Sequence, residues 1–128
     1  MRPILRAAFF RDGRGPELIK AHYSSTGSTL KATDYRNPHG SGLKHLLFAG
    51  PQVFMFTPEE VENHSGSSVD WSSTQGAGAV CLGRSPWLLS FSQQHLAKCE
   101  HYRIMFYDEY LDILCEGIEA RDGGYVVA

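Results

Sequence analysis

The sequence predicts a single α+β domain dominated by an antiparallel β-sheet, a sandwich or a half-barrel, with one or two short helices. Three observations support this fold class. Apolar and polar residues alternate over several short stretches, which is the period of a half-buried strand. Turn residues rather than long helical patterns separate those stretches, which favours antiparallel pairing. The 128 residues contain no internal repeat and no long linker, so we expect one globular domain over residues 1–128.

The clearest strand pattern lies at residues 101–119, which predict a hairpin. Six apolar residues alternate along its two halves: Tyr102, Ile104 and Phe106, then Leu111, Ile113 and Cys115. With the turn at residues 108–109, these six pair on one face as Phe106–Leu111, Ile104–Ile113 and Tyr102–Cys115. The opposite face carries Tyr110, Asp112, Leu114 and Glu116. Because that face is not purely polar, we expect it to pack on a helix or on another chain.

Several shorter elements precede this hairpin, separated by turns rich in glycine, proline and serine. Strands are predicted at residues 4–10, 29–35 and 79–82, and a last edge strand at 125–127. Residues 17–23 fit either a strand or a helical turn. Residues 45–48 and 53–56 flank Gly50-Pro51, which favours a second hairpin, with one long bulged strand as the alternative.

Two short helices are predicted. Thr57 followed by Pro58 and two glutamates is typical of a helix start, although residues 63–68 would end that helix quickly. Ser92 is a candidate N-cap for a second helix over residues 92–99. The remaining long segments, residues 24–42 and 63–78, contain loops, and the second of them is rich in glycine and serine.

These patterns together predict a hydrophobic core. Its members are Leu46, Phe48, Phe54, Phe56, Leu88, Leu96, Tyr102, Ile104, Phe106, Leu111, Ile113 and Ile118.

Composition argues against two classes of partner and suggests a compartment. The formal net charge is −2 and the basic residues are scattered, so neither nucleic acid nor an anionic membrane is an expected partner. The N-terminal apolar run is too short for a signal peptide, and no stretch reaches the roughly 20 apolar residues that span a bilayer. The three cysteines are odd in number and form no C-x-x-C motif. We therefore expect a cytoplasmic protein.

A metal site is the first candidate constellation. In a helix over residues 92–99, His95 and Cys99 would lie one turn apart on one face, at the spacing of metal ligands, with His101 just beyond. The site would need another ligand, such as His45 or His64. Because the usual closely spaced ligand pairs are absent, we favour a buried Cys99 over a metal, and we expect no metal or cofactor.

Catalytic candidates are weaker. Asp112 and Glu116 share one strand face and would form an acid/base pair if that face lined a pocket, but such faces are more often solvated. Ser85, in Gly83-Arg84-Ser85-Pro86, lacks the frame of a nucleophile elbow. Cys81 lies between apolar neighbours and is typical of a buried thiol.

The leading hypothesis is therefore a non-catalytic binding or protein-interaction module that self-associates. The aromatic content of 12% supports it, since aromatic side chains are effective interface anchors. Candidate binding residues are His95, His101, Trp71, Tyr107, Tyr110 and Asp112. The alternative is a small-molecule- or metal-binding protein, or an enzyme, with a histidine-lined pocket. A third and weaker hypothesis is nucleic-acid binding through residues 11–14 and the aromatic side chains.

Overall fold

In a computed structural model, which describes residues 1–12, 15–39, 42–61, 69–92 and 94–127, the chain forms two stacked antiparallel sheets. The nine strands are β1 (Arg2–Ile4), β2 (Glu17–Tyr23), β3 (Leu30–Arg36), β4 (Lys44–Ala49), β5 (Val53–Pro58), β6 (Ala79–Gly83), β7 (Glu100–Met105), β8 (Glu109–Cys115) and β9 (Gly117–Asp122). The five-stranded sheet has the order β1-β6-β7-β8-β5, and the four-stranded sheet has the order β2-β3-β4-β9. One short helix, α1 (Pro86–Leu89), and 3₁₀ turns at Trp71–Thr74 and Gln94–Leu96 complete the described elements. The predicted fold class is confirmed, in its sandwich form.

The main core lies between the two sheets. Ten of the twelve predicted core residues belong to it, while Leu88 and Leu96 belong to a second cluster outside the five-stranded sheet. The prediction missed Phe9 and Tyr35, which are both fully buried. The Phe9 ring packs edge-on against the rings of Tyr35 and Phe106, with centroids 4.8 and 5.5 Å apart. The turn after β1 thus supplies a central core residue, which strand periodicity alone does not reveal.

The hairpin of β7 and β8 forms as predicted, but with another register. Ile104 pairs with Leu111, and Tyr102 pairs with Ile113. The turn closes one residue earlier, because the Phe106 N–H donates to the Glu109 carbonyl over 2.8 Å. The predicted pairs are therefore wrong by two residues. The predicted buried face is right, since a shift of two preserves the alternation of side chains.

The predicted second hairpin is wrong, because its two strands lie in different sheets. Strand β4 pairs with β3 and β9, whereas β5 is an edge strand that pairs with β8. The chain crosses between sheets at Gly50, whose φ of 56° lies in the region that favours glycine. It crosses back at Gly117, which pairs with Ala49. Both crossings thus meet at one corner of the sandwich.

Four further expectations need correction. The first strand ends at Ile4, and the chain then turns before Phe10 bridges to Ala77. Thr57 and Pro58 continue β5, so no helix starts there. Of the described residues in the predicted helix over 92–99, only Gln94–Leu96 is helical, as a 3₁₀ turn. Residues 125–127 form no strand, while the ambiguous residues 17–23 form β2.

Candidate functional site

The outer face of the five-stranded sheet is covered by residues 84–92 and 94–99. Leu114 on β8 projects outward and packs with Leu88, Leu96 and Cys99 from this covering segment. The expectation that this face of the hairpin packs on a helix is confirmed. Beside that small apolar cluster, the same face buries an unusual concentration of charge.

Asp112 is the centre of this charge. Its carboxylate is fully buried and lies across from Arg103 in the strand pair. The Arg103 Nε–H donates to Oδ1 of Asp112 over 2.9 Å, and His101 Nε2 lies 2.5 Å from the same oxygen. Because residues two apart on a strand share a face, β7 presents both partners to one carboxylate.

Ser85 extends this arrangement into the covering segment. Its hydroxyl lies 2.7 Å from Nδ1 of His101, and its oxygen accepts the Leu88 N–H over 3.2 Å as the N-cap of α1. We assign the ring proton of neutral His101 to Nε2, since that nitrogen faces a carboxylate. Nδ1 then accepts the Ser85 hydroxyl proton. Ser85, His101, Arg103 and Asp112 form what we call the buried polar network.

The electrostatics of the network favour an ionised Asp112. Burial raises the pKa of this carboxyl, but hydrogen bonds from His101 and Arg103 and the Arg103 charge outweigh burial and hold the pKa below its ordinary value. The guanidinium of Arg103 also lies 5.1 Å from the centre of the Tyr110 ring. The Tyr110 hydroxyl donates to the Val61 carbonyl over 2.7 Å. Contacts with several neighbouring groups thus offset the cost of burying the Asp112 and Arg103 charges.

Ser85, His101 and Asp112 follow the hydrogen-bonding order of a hydrolytic triad. In this conformation, however, Ser85 is only 5% exposed and His101 is fully buried. The Ser85 hydroxyl donates its proton to His101 and accepts the Leu88 N–H. The hydrogen bonds of the network therefore hold the start of α1 against β7 and β8.

The fastened segment turns apolar side chains outward. Leu89 is 60% exposed and Phe91 is 37% exposed. The half-buried Trp87 joins them, with its ring 5.9 Å from that of Phe91 and 5.0 Å from that of His101. We call Trp87, Leu89 and Phe91 the α1 surface.

Basic groups border the α1 surface. Arg84 immediately precedes the N-cap, and its Nη1 donates to the carbonyls of Leu96, Ala97 and Cys99 over 3.2–3.4 Å. Lys98 is exposed in the stretch that Arg84 holds. The surface thus combines exposed apolar area with positive charge at its rim.

The structure brings together three of the six predicted binding residues, namely His101, Tyr110 and Asp112. His95 is exposed on the 3₁₀ turn, and Tyr107 is exposed at the tip of the hairpin. Trp71 lies elsewhere, with the Arg11 guanidinium 5.1 Å from its ring centre.

The structure does not bring the weak candidate metal ligands close to one another. Cys99 is buried in the apolar cluster while His95 faces solvent, since no helix spans them. His45 Nδ1 donates to the Gly123 carbonyl over 2.8 Å on the other sheet, and His64 lies outside the described residues. Within the described ranges, no group of three or more His, Cys, Asp or Glu side chains is placed to hold a metal ion. The proposed partner of Asp112, Glu116, is exposed at the sheet corner.

Sequence reasoning missed Ser85 and Arg103. The signal for Ser85 was its place before Pro86, because serine at the N-cap and proline at the first helical position favour a helix start. Arg103 was missed because of the register error. The predicted register set Met105 opposite Asp112, whereas the observed one sets Arg103 there.

A second polar cluster lies on the outer face of the four-stranded sheet. The Tyr125 N–H donates to Oδ1 of Asp34 over 2.8 Å, and His22 Nε2 lies 2.9 Å from Oδ2. The Tyr125 ring lies 5.1 Å from the His22 ring and 5.8 Å from the His45 ring. Burial raises the pKa of Asp34, but the Tyr125 N–H and His22 outweigh it and lower this pKa. The cluster ties the C-terminal residues to the sheet.

Comparisons with protein-family models, with curated proteins and with solved structures give no match for this chain. Of the helices in the described residues, none is both long and apolar enough to span a membrane.

Proposed function

We propose that this protein is a non-catalytic interaction module that binds a protein partner through the α1 surface. The observation that carries the proposal is the exposure of Leu89 and Phe91 on a segment fastened by the buried polar network. Apolar side chains that cluster at a surface are typical of interaction sites, and aromatic residues anchor such contacts. A segment held in place before binding loses less conformational entropy when the partner arrives.

The proposal includes a cytoplasmic location and requires no metal or cofactor. Supporting the location, Cys81, Cys99 and Cys115 are free thiols. Burial raises the pKa of each, to about 12 for Cys115, so they are poorly reactive structural residues. A reducing compartment keeps such thiols free.

Site-specific photo-crosslinking tests the proposal. A photoreactive amino acid replaces Leu89 in one version of the chain and Tyr23 in a matched version. Tyr23 is also exposed, at 48%, but lies on the other sheet. In cells that express the chain, we expect a discrete protein adduct at position 89 that is absent at position 23 and identified by peptide mass spectrometry. Identical adduct patterns at both positions, or none at 89, would contradict the proposal.

A second candidate function is acyl transfer by Ser85, and the order Ser85–His101–Asp112 favours it. Ser85 Oγ would attack an ester carbonyl while its proton passes to His101 Nδ1. His101 would then protonate the leaving alcohol, and water would later release the acyl group from Ser85. This function needs α1 to move away from Ser85. A fluorophosphonate reagent discriminates: labelling that Ser85→Ala abolishes supports the hydrolase, and the interaction module predicts no labelling.

A further inference from the structure

We infer that the partner of the α1 surface is a second copy of this chain, which inserts the tip of its β7–β8 hairpin. This inference rests on the proposed function and names the occupant of the surface. Two features carry it: the opposite charge of the two surfaces and their positions at opposite ends of one hairpin.

The hairpin tip is acidic and aromatic. Tyr107 is 44% exposed at the turn, next to Asp108 and Glu109. The Glu59 N–H donates to the Asp108 carbonyl over 3.0 Å, which brings exposed Glu59 and Glu60 to the same end. We call these residues, Tyr107, Asp108, Glu109, Glu59 and Glu60, the acidic tip.

A cavity of about 400 Å³ opens beside the acidic tip. Its lining consists of Glu17, Leu18, Tyr107, Asp108 and Glu109. Burial and the neighbouring Asp108 charge raise the pKa of Glu109, so negative charge is crowded here. Arg36 lies across from Glu17 in the neighbouring strand, and it is the cation that the strand pairing places nearest to this wall. A cationic side chain from another molecule would relieve the crowding.

The α1 surface offers the complementary groups. Leu89 and Phe91 provide apolar area for the Tyr107 ring, and Arg84 and Lys98 provide positive charge at the rim. Aromatic rings with flanking carboxylates fit apolar surfaces bordered by Arg and Lys, because burial and charge complementarity then act together. Two acidic residues lie at this end. Glu100 is 4.0 Å from Arg2 and accepts from the Cys81 thiol. Burial and then the charge of exposed Glu116 raise the pKa of the Cys99 thiol.

The two surfaces cannot meet within one molecule. The α1 segment sits over His101 at the start of β7, and the acidic tip follows its end. Six residues of strand separate them by roughly 20 Å at about 3.3 Å per residue. Each contact therefore joins two copies. Because the two surfaces lie at opposite ends of the hairpin, two antiparallel copies can make both contacts at once as a symmetric dimer, and otherwise the contact repeats head-to-tail into rings or chains.

Sedimentation velocity of the full chain, from low micromolar to near-millimolar concentration, tests this inference. We expect a mass that grows from one copy to two or more with concentration and falls with added salt, since surface charge is screened. Lys98→Glu and Asp108→Lys should each weaken association about tenfold or more. The double variant should recover association, because each copy then carries both reversed charges. Lys31→Glu and Glu119→Lys, which reverse exposed charges on the other sheet, are the matched controls.

The outcomes separate this inference from the proposed function. A chain that stays monomeric at every concentration overturns self-association, while crosslinking at position 89 decides the function independently. If Leu89→Asp abolishes association but Lys98→Glu and Asp108→Lys do not, the α1 surface takes part in the contact but the acidic tip does not, and the inference is overturned. Crosslinking of position 89 to a different protein would also overturn the acidic tip as the occupant of the α1 surface.

Discussion

Asp112 is the residue on which the outer face of the five-stranded sheet depends. A buried carboxylate is tolerated there because Arg103 and His101 both bond to it. Removing one member of a buried ion pair leaves the other charge poorly solvated, which costs more than the pair itself contributes. Ser85 and Trp87 both contact His101, which bonds to this carboxylate, so the loss of the carboxylate would also affect α1.

We predict that Asp112→Asn lowers the free energy of unfolding by about 3–5 kcal/mol. Asparagine keeps the shape but not the charge that neutralises Arg103. Urea denaturation measures the change. Asp122→Asn is the control, because Asp122 pairs with Lys44 at the exposed surface and its loss should change stability much less than the loss of Asp112. Equal effects of the two substitutions would contradict a special role for the network.

The same carboxylate gives a pH dependence whose sign follows from its lowered pKa. The folded state holds this proton less tightly than the unfolded chain. Its stabilising contribution is therefore complete above the unfolded value of about 3.9 and disappears as pH falls through the folded pKa. The stability difference between the wild type and Asp112→Asn should be constant near neutral pH and shrink below about pH 4. Asp34 titrates in both proteins, so its contribution cancels. A difference that grows on acidification would contradict this assignment.

At the scale of elements, the β7–β8 hairpin shows what alternation predicts and what it leaves open. Period-two patterning assigned the six alternating apolar side chains of the hairpin to the correct, buried face. It did not set the register, because pairings two residues apart bury the same side chains. The position of the turn sets which register forms. Only the observed register brings Arg103 opposite Asp112. Sequence reasoning thus identified two of the four network residues, His101 and Asp112, but not the network that joins them.

The C-terminal residues after β9 form an element held by side chains rather than by strand pairing. Asp34 accepts the Tyr125 N–H, and His45 bonds to the Gly123 carbonyl. We predict that Asp34→Ala speeds hydrogen exchange of the Tyr125 amide by at least tenfold, as roughly expected when a bond of about 1.4 kcal/mol or more is lost. Asp122→Ala is the control. Unchanged exchange at Tyr125 in Asp34→Ala would show that ring packing alone holds these residues.

At the scale of the whole molecule, the sequence predicted an α+β fold dominated by antiparallel sheet, as a sandwich or a half-barrel, and most of the main core, but not the path of the chain. The composition and the alternation of apolar and polar residues were sufficient to predict the fold class. The crossings at Gly50 and Gly117 escaped prediction because a glycine between two strands fits a hairpin turn as well as a change of sheet. Phe9 and Tyr35 were missed for a related reason, since their contacts depend on how the two sheets stack.

The sheet edges limit how copies of the molecule can associate. Strand β2 carries two register irregularities, and β5 ends in a proline. Strand β9 presents the charged pair Glu119 and Arg121. Bulges, proline and charge are the usual means of blocking edge-to-edge pairing. We therefore expect association through side chains of the α1 surface rather than through strand addition.

Concentration-dependent NMR spectra test the central claim most directly. Backbone amide shifts of the labelled chain would be followed from low micromolar to near-millimolar concentration. The account predicts that the shifts concentrate in two separate places, residues 84–98 and residues 107–109, and that they weaken together when salt is added. Shifts confined to the edge strands β2 or β9, or a spectrum that does not change with concentration, would contradict it.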